Sequence, residues 1–157
     1  MKNNKGLSNA TLFLIVVVSI FVLGYVVWII QTETLPKNAE EQVESKIEGN
    51  KDDLVSFSVS AGDTVSGILN FSGTVKGAYF FEANIGVNIL DANKKLLKAG
   101  HATATTDWMT PGEVSFSGSI DLTGLPAGLG YIQIANDNPS DRRDLDKFIY
   151  IPIVIGQ

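Results

Sequence analysis

Hydrophobic and polar residues alternate with a period of two in several short stretches of the C-terminal two thirds of the chain. The clearest are LVSFSV at 54–59, FFEANIGVNIL at 80–90 and VSFSGSIDL at 114–122. Such alternation places the apolar side chains on one face of a β-strand, because successive side chains point to opposite sides. The positions predicted to face a core are Val55, Phe57, Val59, Phe81, Ala83, Ile85, Val87, Ile89, Val114, Phe116, Ile120 and Leu122.

Clusters of turn-forming residues separate these stretches. They are DANKK at 91–95, GLPAGLG at 124–130 and NDNPSDRRDLDK at 136–147. With turn signals roughly every ten residues and about seven short strands, the pattern predicts an all-β domain, an antiparallel β-sandwich over residues 54–157. The last strand, FIYIPIVI, contains Pro152. Because proline has no backbone N–H, this position is predicted to be a sheet edge or a bulge.

Residues 10–30 carry no charge and are mostly large and apolar. As a helix rising about 1.5 Å per residue, this segment spans roughly 30 Å, the hydrocarbon thickness of a bilayer. A cleaved signal peptide is the alternative, but its apolar core is usually about 7–15 residues long and precedes a small-residue cleavage motif. The sequence that follows, QTETLPKNAE, contains no such motif. The pattern therefore predicts a transmembrane helix that is retained as an anchor.

Charges on either side of the apolar segment predict its orientation. Lys2 and Lys5 precede it, and Glu33 is the first charged residue after it. Because positively charged flanks stay in the cytoplasm, residues 1–9 are expected inside the cell and the C-terminal domain outside. The predicted localisation is the cell membrane, single-pass, with an extracytoplasmic C-terminal domain.

Residues 31–53 contain seven acidic and three basic residues and few large apolar ones. Such a segment buries too little surface to offset its ordering entropy, so it is predicted to be a charged stalk or linker. The formal net charge of −5 and the lack of basic clusters argue against a nucleic-acid partner. The chain has no cysteine, which excludes disulfides, zinc–thiolate sites and cysteine nucleophiles.

Four segments carry a resemblance to a known domain family. They are FFEA at 80–83, DWM at 107–109, DNPS at 137–140 and the closing IPIVI at 151–155. Their succession resembles the immunoglobulin-like domain of bacterial spore germination proteins, which also occurs in other bacterial envelope proteins. The resemblance covers residues from about 54 to the end. It implies an immunoglobulin-like β-sandwich in an extracytoplasmic, often membrane-tethered setting, and it implies no catalytic or ligand-binding residues. The residues taken as marks of the fold are Phe81, Glu82, Asp107, Trp108, Met109 and Pro152.

Residue chemistry gives little support for catalysis. His101 is the only histidine, and no G-x-S-x-G turn presents a serine nucleophile. A retaining glycosidase needs two carboxylates about 5–5.5 Å apart, and Glu82 and Glu113 are the only glutamates after residue 53. We expect no enzyme activity, no catalytic residue and no cofactor, and we keep an envelope carbohydrate-active enzyme as the less favoured alternative.

Trp108 and Met109 precede Pro111 and Gly112, where the chain is expected to turn. An exposed aromatic platform for a sugar or a peptide is one interpretation. Packing of the indole against one end of the core is favoured, because tryptophan is highly buried on average.

The loop at 136–147 is rich in oxygen-bearing side chains, as a calcium site requires. Its spacing does not match the EF-hand pattern, and two arginines offset much of the acidic charge, so no metal is predicted. Because loops on a rigid scaffold often make functional contacts, we treat this loop as the candidate recognition loop. Its candidate residues are Asn136, Asp137, Asn138, Pro139, Ser140, Asp141, Arg142 and Arg143.

The anchor, the linker and a β-domain without a catalytic constellation together predict a non-enzymatic, membrane-anchored extracytoplasmic module. Its role is binding or structural, and its expected partner is an envelope protein or polymer. A pilin-like filament subunit is the main alternative, because pilins carry a short basic leader, a glycine before the cleavage point and a long hydrophobic helix. The stretch KNNKGLSNATLFLIVVVSIFVLGY is similar to that arrangement, with a cut after Gly6. Pilins usually carry a glutamate at the fifth mature position, where this chain has Thr11.

Overall fold

The computed structural model describes residues 46–140 and 142–157. The predicted anchor at 10–30, the segment 1–9 and the first part of the predicted linker lie outside these residues. Within the described part, no helix is long and apolar enough to cross a membrane.

Ten β-strands make up the described part of the chain, and the all-β prediction is confirmed there. They are β1 (Glu48–Gly49), β2 (Leu54–Phe57), β3 (Thr64–Val65), β4 (Ile68–Lys76), β5 (Asn84–Asp91), β6 (Leu96–Lys98), β7 (His101–Ala104), β8 (Glu113–Asp121), β9 (Gly128–Ala135) and β10 (Phe148–Ile155). Single 3₁₀ turns lie at Lys51–Asp53, Gly77–Tyr79 and Arg143–Leu145. About seven strands were expected. The difference arises because the return strand divides into β6 and β7, and because β1 and β3 are too short to produce a periodic pattern.

Hydrogen bonding joins the strands in the order β1-β10-β9-β5-β7-β8-β4-β2, with β3 also on β10 and β6 also on β5. All pairs are antiparallel except β3 with β10. Strand β7 pairs with β5 on one side and with β8 on the other. This arrangement is consistent with an immunoglobulin-like sandwich in which β7 joins a β5-β9-β10 layer to a β8-β4-β2 layer.

One hydrophobic core collects buried side chains from both layers. Residues Ile85, Val87 and Ile89 of β5 are buried, as the alternation predicts, and so are Val114, Phe116, Ile120 and Leu122 in and after β8. The isoleucines at every second position of β10 complete the core, namely Ile149, Ile151, Ile153 and Ile155. A one-residue slip in any of these strands would bury its polar face instead, so the register is strongly specified.

Three positions depart from the predicted pattern. Val55 is 50% exposed because a register shift between Leu54 and Ser56 turns it out of the core. Phe81 is 41% exposed because β5 begins only at Asn84. Before it, Glu82 and Ala83 form a turn with φ of 48° and 63°, so Ala83 does not share a strand face with Ile85 either.

Pro152 lies in the middle of β10, whose pairing with β9 continues without a shift on either side. A bulge is therefore not found at this position. The Pro152 carbonyl accepts a hydrogen bond from Gly62 N (2.8 Å) on the side of β10 that faces away from β9. Because the N–H and C=O of one strand residue point to the same side, the N–H that proline lacks would also have pointed away from β9. On that side β1 pairs with residues 149 and 150, and β3 pairs with 154 and 155. Proline thus occupies the gap between two short partner strands, which is a local edge.

The fold begins upstream of Leu54, the predicted boundary. Strand β1 and the 3₁₀ turn Lys51–Asp53 come from the predicted linker, and β1 pairs with β10. Gly49 has φ of 77°, and a Cβ at this position would overlap the carbonyl of Phe148. A glycine therefore permits the close approach of the linker to β10. We call residues 48–53 the junction segment.

Candidate functional site

Several loops meet at one end of the β-domain, which we call the signature end. It comprises residues 50–53, 77–84, 105–112 and 136–147. Gly77 N donates to Gly112 O (2.6 Å), which joins the second segment to the third. Asp137 N donates to Tyr79 O (3.0 Å), which joins the second segment to the fourth. Three of the segments used for the family resemblance, at 80–83, 107–109 and 137–140, therefore converge at this end.

The segment FFEA divides between core and surface. Phe80 is buried, with its ring centroid 6.3 Å from that of Phe116. Phe81 and Glu82 are exposed. The alternation in FFEANIGVNIL would place Glu82 on the outer face of a strand, opposite Phe81 and Ala83, but the structure places it in the turn before β5.

The segment DWM forms a local turn. Asp107 Oδ1 accepts a hydrogen bond from Met109 N (3.0 Å), which closes the turn with a side chain. Trp108 is half-buried and packs against the core, in agreement with the favoured packing interpretation. Met109 is 77% exposed and is the most exposed large hydrophobic residue of the described part.

Asn136 closes the base of the candidate recognition loop. Its Oδ1 accepts from Lys147 N (2.7 Å), its backbone N donates to Lys147 O (3.2 Å), and its Nδ2 donates to Leu145 O (3.1 Å). The side-chain amide is therefore engaged within the loop. Its role is to hold the two ends of the loop together.

Asn138 organises the interior of the same loop. Its Nδ2 donates to Arg142 O (2.8 Å) and to Asp146 Oδ1 (2.7 Å). Its Oδ1 accepts from Ser140 N (3.2 Å) and Ser140 Oγ (2.6 Å). The asparagine of the DNPS segment thus determines loop shape, which is a structural reason for its presence in the sequence signature.

The outer part of the loop carries paired charges. Arg142 bonds Asp144 through two nitrogens (2.6 and 3.3 Å), and Arg143 Nη1 lies 3.4 Å from Asp146 Oδ2. Asp137 and Pro139 are exposed, and the predicted residue Asp141 lies outside the described residues. No group of three or more metal-ligating side chains occurs among the described residues. The loop is therefore a self-bonded, exposed surface feature.

Asp53 accepts hydrogen bonds from three side chains, which the sequence pattern does not predict. Its Oδ1 accepts from Lys76 Nζ (2.9 Å), and its Oδ2 accepts from Lys147 Nζ (3.3 Å) and Tyr79 Oη (3.4 Å). The Asp53 side chain is only 16% exposed. The acidic composition of residues 31–53 predicts solvated carboxylates, and no local pattern distinguishes this one from its neighbours. Only the fold brings the two lysines and the tyrosine to it.

The electrostatics of this cluster follow from its hydrogen bonds and burial. The hydrogen bond from Lys76 lowers the pKa of the Asp53 carboxyl, against the opposing effect of burial. The same bond raises the pKa of the Lys76 ammonium. Burial raises the pKa of the Tyr79 phenol, and the Asp53 charge raises it further. Asp53 and Lys76 therefore form an ion pair at neutral pH, with Tyr79 as a neutral donor.

A second cluster lies on the outer face of the β9-β10 layer. Lys94 Nζ bonds Glu48 Oε2 (2.7 Å) and lies 4.5 Å from the ring centroid of Tyr150 and 5.3 Å from that of Tyr131. The hydrogen bond to Glu48 raises the pKa of the Lys94 ammonium. This cluster holds β1 against the body of the domain.

A groove of about 400 Å³ runs over the outer face of the other layer. Its lining is dominated by hydroxyl side chains: Ser56, Ser58, Ser72, Thr74, Thr105, Ser115 and Ser117. Some of them bond to each other or to the backbone, as in Thr74 Oγ1 with Ser115 Oγ (3.1 Å). Neither Glu82 nor Glu113 lines it. His101 is exposed at the start of β7 and does not line it either.

Comparison with known proteins decides the family. The model of the immunoglobulin-like domain of bacterial spore germination matches residues 57–142, more than half of the chain. The chain belongs to this family. No curated protein and no solved structure matches the chain. The match includes the FFEA, DWM and DNPS segments of this immunoglobulin-like domain, while the junction segment and β10 lie outside it.

Proposed function

We propose that this chain is a non-enzymatic, membrane-anchored module that presents the signature end of its immunoglobulin-like domain to a partner in the cell envelope. The anchor is the uncharged segment 10–30, with the N-terminus in the cytoplasm and the β-domain outside. The partner is an envelope protein or polymer. Membership of the immunoglobulin-like family supports an extracytoplasmic module at this general level.

The convergence of the FFEA, DWM and DNPS segments carries the choice of this surface. Phe81, Met109 and Leu145 are 41%, 77% and 46% exposed, and they lie on three different loops of the signature end. Exposed apolar side chains are typical of interaction sites. Because Ile68, Leu96 and Leu129 are similarly exposed at the opposite end, this exposure supports the signature end only together with the family segments that meet there. Hydrogen bonds within the loops of the signature end hold those loops in place, so they would lose little conformational entropy on binding a partner.

Site-specific cross-linking in intact cells tests the proposal. A photoreactive residue at Met109, or at Leu145, is expected to attach to the same envelope component. Ile68 is the matched control, because it is 69% exposed but begins β4 at the opposite end. The nine residues of β4 separate it from Lys76 by roughly 26 Å at about 3.3 Å per residue. Equal labelling from Ile68 and Met109, or none from either loop, would refute the assignment of this surface.

Two simple measurements test the proposed membrane orientation and the retention of the N-terminus. Protease added outside intact cells is expected to digest the β-domain, and a protected β-domain would contradict the proposed orientation. The mass of the native N-terminus is expected to include residues 1–6. Loss of those six residues would support the pilin-like alternative, in which a leader is cut after Gly6.

A further inference from the structure

We infer that the junction segment and the loop 136–147 form one structural unit, so that the loop keeps its conformation only while the junction segment is docked on the β-domain. The segment that leads into the domain would then control the shape of the candidate recognition loop. The biological importance of this control rests on the proposed function, but the coupling itself does not.

The first link is a pair of bonds beside the end of the loop. Asn50 N donates to Phe148 O (2.8 Å), and Phe148 N donates to Asn50 Oδ1 (3.2 Å). Phe148 directly follows the last residue of the loop. The neighbouring residue Gly49 pairs with Ile149 in the β1-β10 ladder. The junction segment therefore bonds the backbone immediately after the loop.

The second link runs through Asp53 to both ends of the loop. At the far end, its carboxylate accepts from Lys147 Nζ (3.3 Å). Near the beginning, it accepts from Tyr79 Oη (3.4 Å), and the carbonyl of Tyr79 accepts from Asp137 N (3.0 Å). One side chain of the junction segment thus connects to the first and the last part of the loop.

The third link lies inside the loop. Lys147 N donates to Asn136 Oδ1, and Asn136 N donates to Lys147 O. Displacement of Lys147 would open this base. The rest of the loop would then lose its closure, because Asn138 bridges to Asp146 next to the same base (2.7 Å).

The junction segment is suited to a reversible change. Strand β1 has two residues, both exposed, and its ion pair between Glu48 and Lys94 is also exposed. Exposed ion pairs contribute little, and elements with few buried contacts open at low free-energy cost. Tension or a partner acting on the preceding chain would therefore act first on this segment and, through Asp53 and Asn50, on the loop.

Hydrogen exchange of the full-length chain, followed by mass spectrometry, tests the coupling without any partner. The informative amides are the hydrogen-bonded ones of the loop, namely Asn136, Asp137, Ser140, Leu145, Asp146 and Lys147. In Asp53→Asn and Asn50→Ala we expect their exchange to accelerate at least tenfold. Asp121→Asn is the matched control, since it changes the same functional group in a turn closed by Thr123 at the opposite end.

The outcomes separate clearly. Faster exchange in the loop, with unchanged core strands β5 and β9, supports the coupling. Loss of protection in the junction segment alone would overturn it, and so would equal acceleration of all amides in both variants, because the proposed coupling is local. Gly49→Val, which would force β1 away from Phe148 O, must reproduce the loop effect. Failure of the cross-linking experiment would leave these exchange results unaffected.

Discussion

The two ends of the β-domain close their loops in different ways. At the opposite end, aspartates bond within their own turns: Asp91 Oδ1 accepts from Asn93 N and Lys95 N, Asp121 Oδ1 from Thr123 N, and Asp63 Oδ2 from Ser60 N. The signature end also has local side-chain turns, at Asp107 and Asn138. In addition it has hydrogen bonds made by side chains that join residues 94 and 98 positions apart, between Asp53 and Lys147 and between Asn50 and Phe148. The opposite end also has long-range bonds, such as Val154 N to Asp63 O and Gly156 N to Val65 O, but these join backbone groups only.

At the opposite end, the side chains that close a turn bond within that turn, whereas at the signature end some of them bond to distant segments. A turn closed by its own aspartate can form as soon as its strands pair, and removing it disturbs a few residues. A loop held by residues from four segments depends on the whole end of the domain. Substitutions at the signature end should therefore spread further than similar substitutions at the opposite end.

The largest expected effect is that of Tyr79→Ala. Tyr79 is fully buried and contributes both a ring to the core and a hydroxyl to Asp53. Truncating a buried aromatic residue typically costs about 3–5 kcal/mol of unfolding free energy. Urea unfolding followed by tryptophan fluorescence measures this cost.

Tyr131→Ala provides the control for that experiment, because Tyr131 lies half-buried on the outer face of β9. Its truncation should cost clearly less. Equal losses for the two variants would mean that Tyr79 is not central to the signature end.

Asp53→Asn should have an intermediate effect that depends on pH. Hydrogen bonds to a charged group contribute about 1.5–3 kcal/mol, and partial solvent exposure of the two lysines reduces this to about 1–2 kcal/mol at pH 7. Because the pKa of Asp53 is lowered in the folded state, its stabilisation is present above the unfolded-state value of about 3.9. It is lost as the pH falls through the folded-state pKa.

The difference in unfolding free energy between the native chain and Asp53→Asn should therefore shrink as the pH falls below about 4. Urea titrations of both proteins between neutral and acidic pH measure it. A difference that stays constant across this range would show that the Asp53 charge does not contribute.

The smallest expected effect is that of Lys94→Ala. Its exposed ion pair with Glu48 and its position over two tyrosine rings should together contribute about 1 kcal/mol or less. The loss should be smaller at high salt, because salt screens exposed charges. Glu48→Gln should cost less than Lys94→Ala, because it leaves the contacts with Tyr131 and Tyr150 in place. A larger effect for Glu48→Gln would contradict this account of the outer face.

Local pattern predicted much of the β-domain correctly. The alternation in β5 and β8 identified Ile85, Val87, Ile89, Val114, Phe116, Ile120 and Leu122 as core residues, and all are buried. It failed at Phe81 and Val55, where a turn and a register shift interrupt an otherwise regular strand. An apolar residue next to such an interruption still fits the alternation in the sequence, but the backbone no longer directs its side chain into the core.

The candidate site was only partly accessible from sequence. The segments FFEA, DWM and DNPS were recognised, but nothing in their composition indicates that they meet at one end. Asn136 and Asn138 were proposed for recognition, and the structure shows their side chains engaged in closing the loop. Asp53 and Asn50 were assigned to a solvated linker, since their partners lie far away in the chain.

The sequence alone determined most of the strand faces and the turn positions, because each depends on residues within a few positions of each other. It also indicated the family, through short segments that follow one another in a recognisable order. The tertiary structure decided where the domain begins, why Pro152 is tolerated inside β10, and which polar side chains hold the signature end together. Those features depend on contacts between distant segments. A carboxylate such as Asp53 looks the same in sequence whether water or two lysines and a tyrosine surround it.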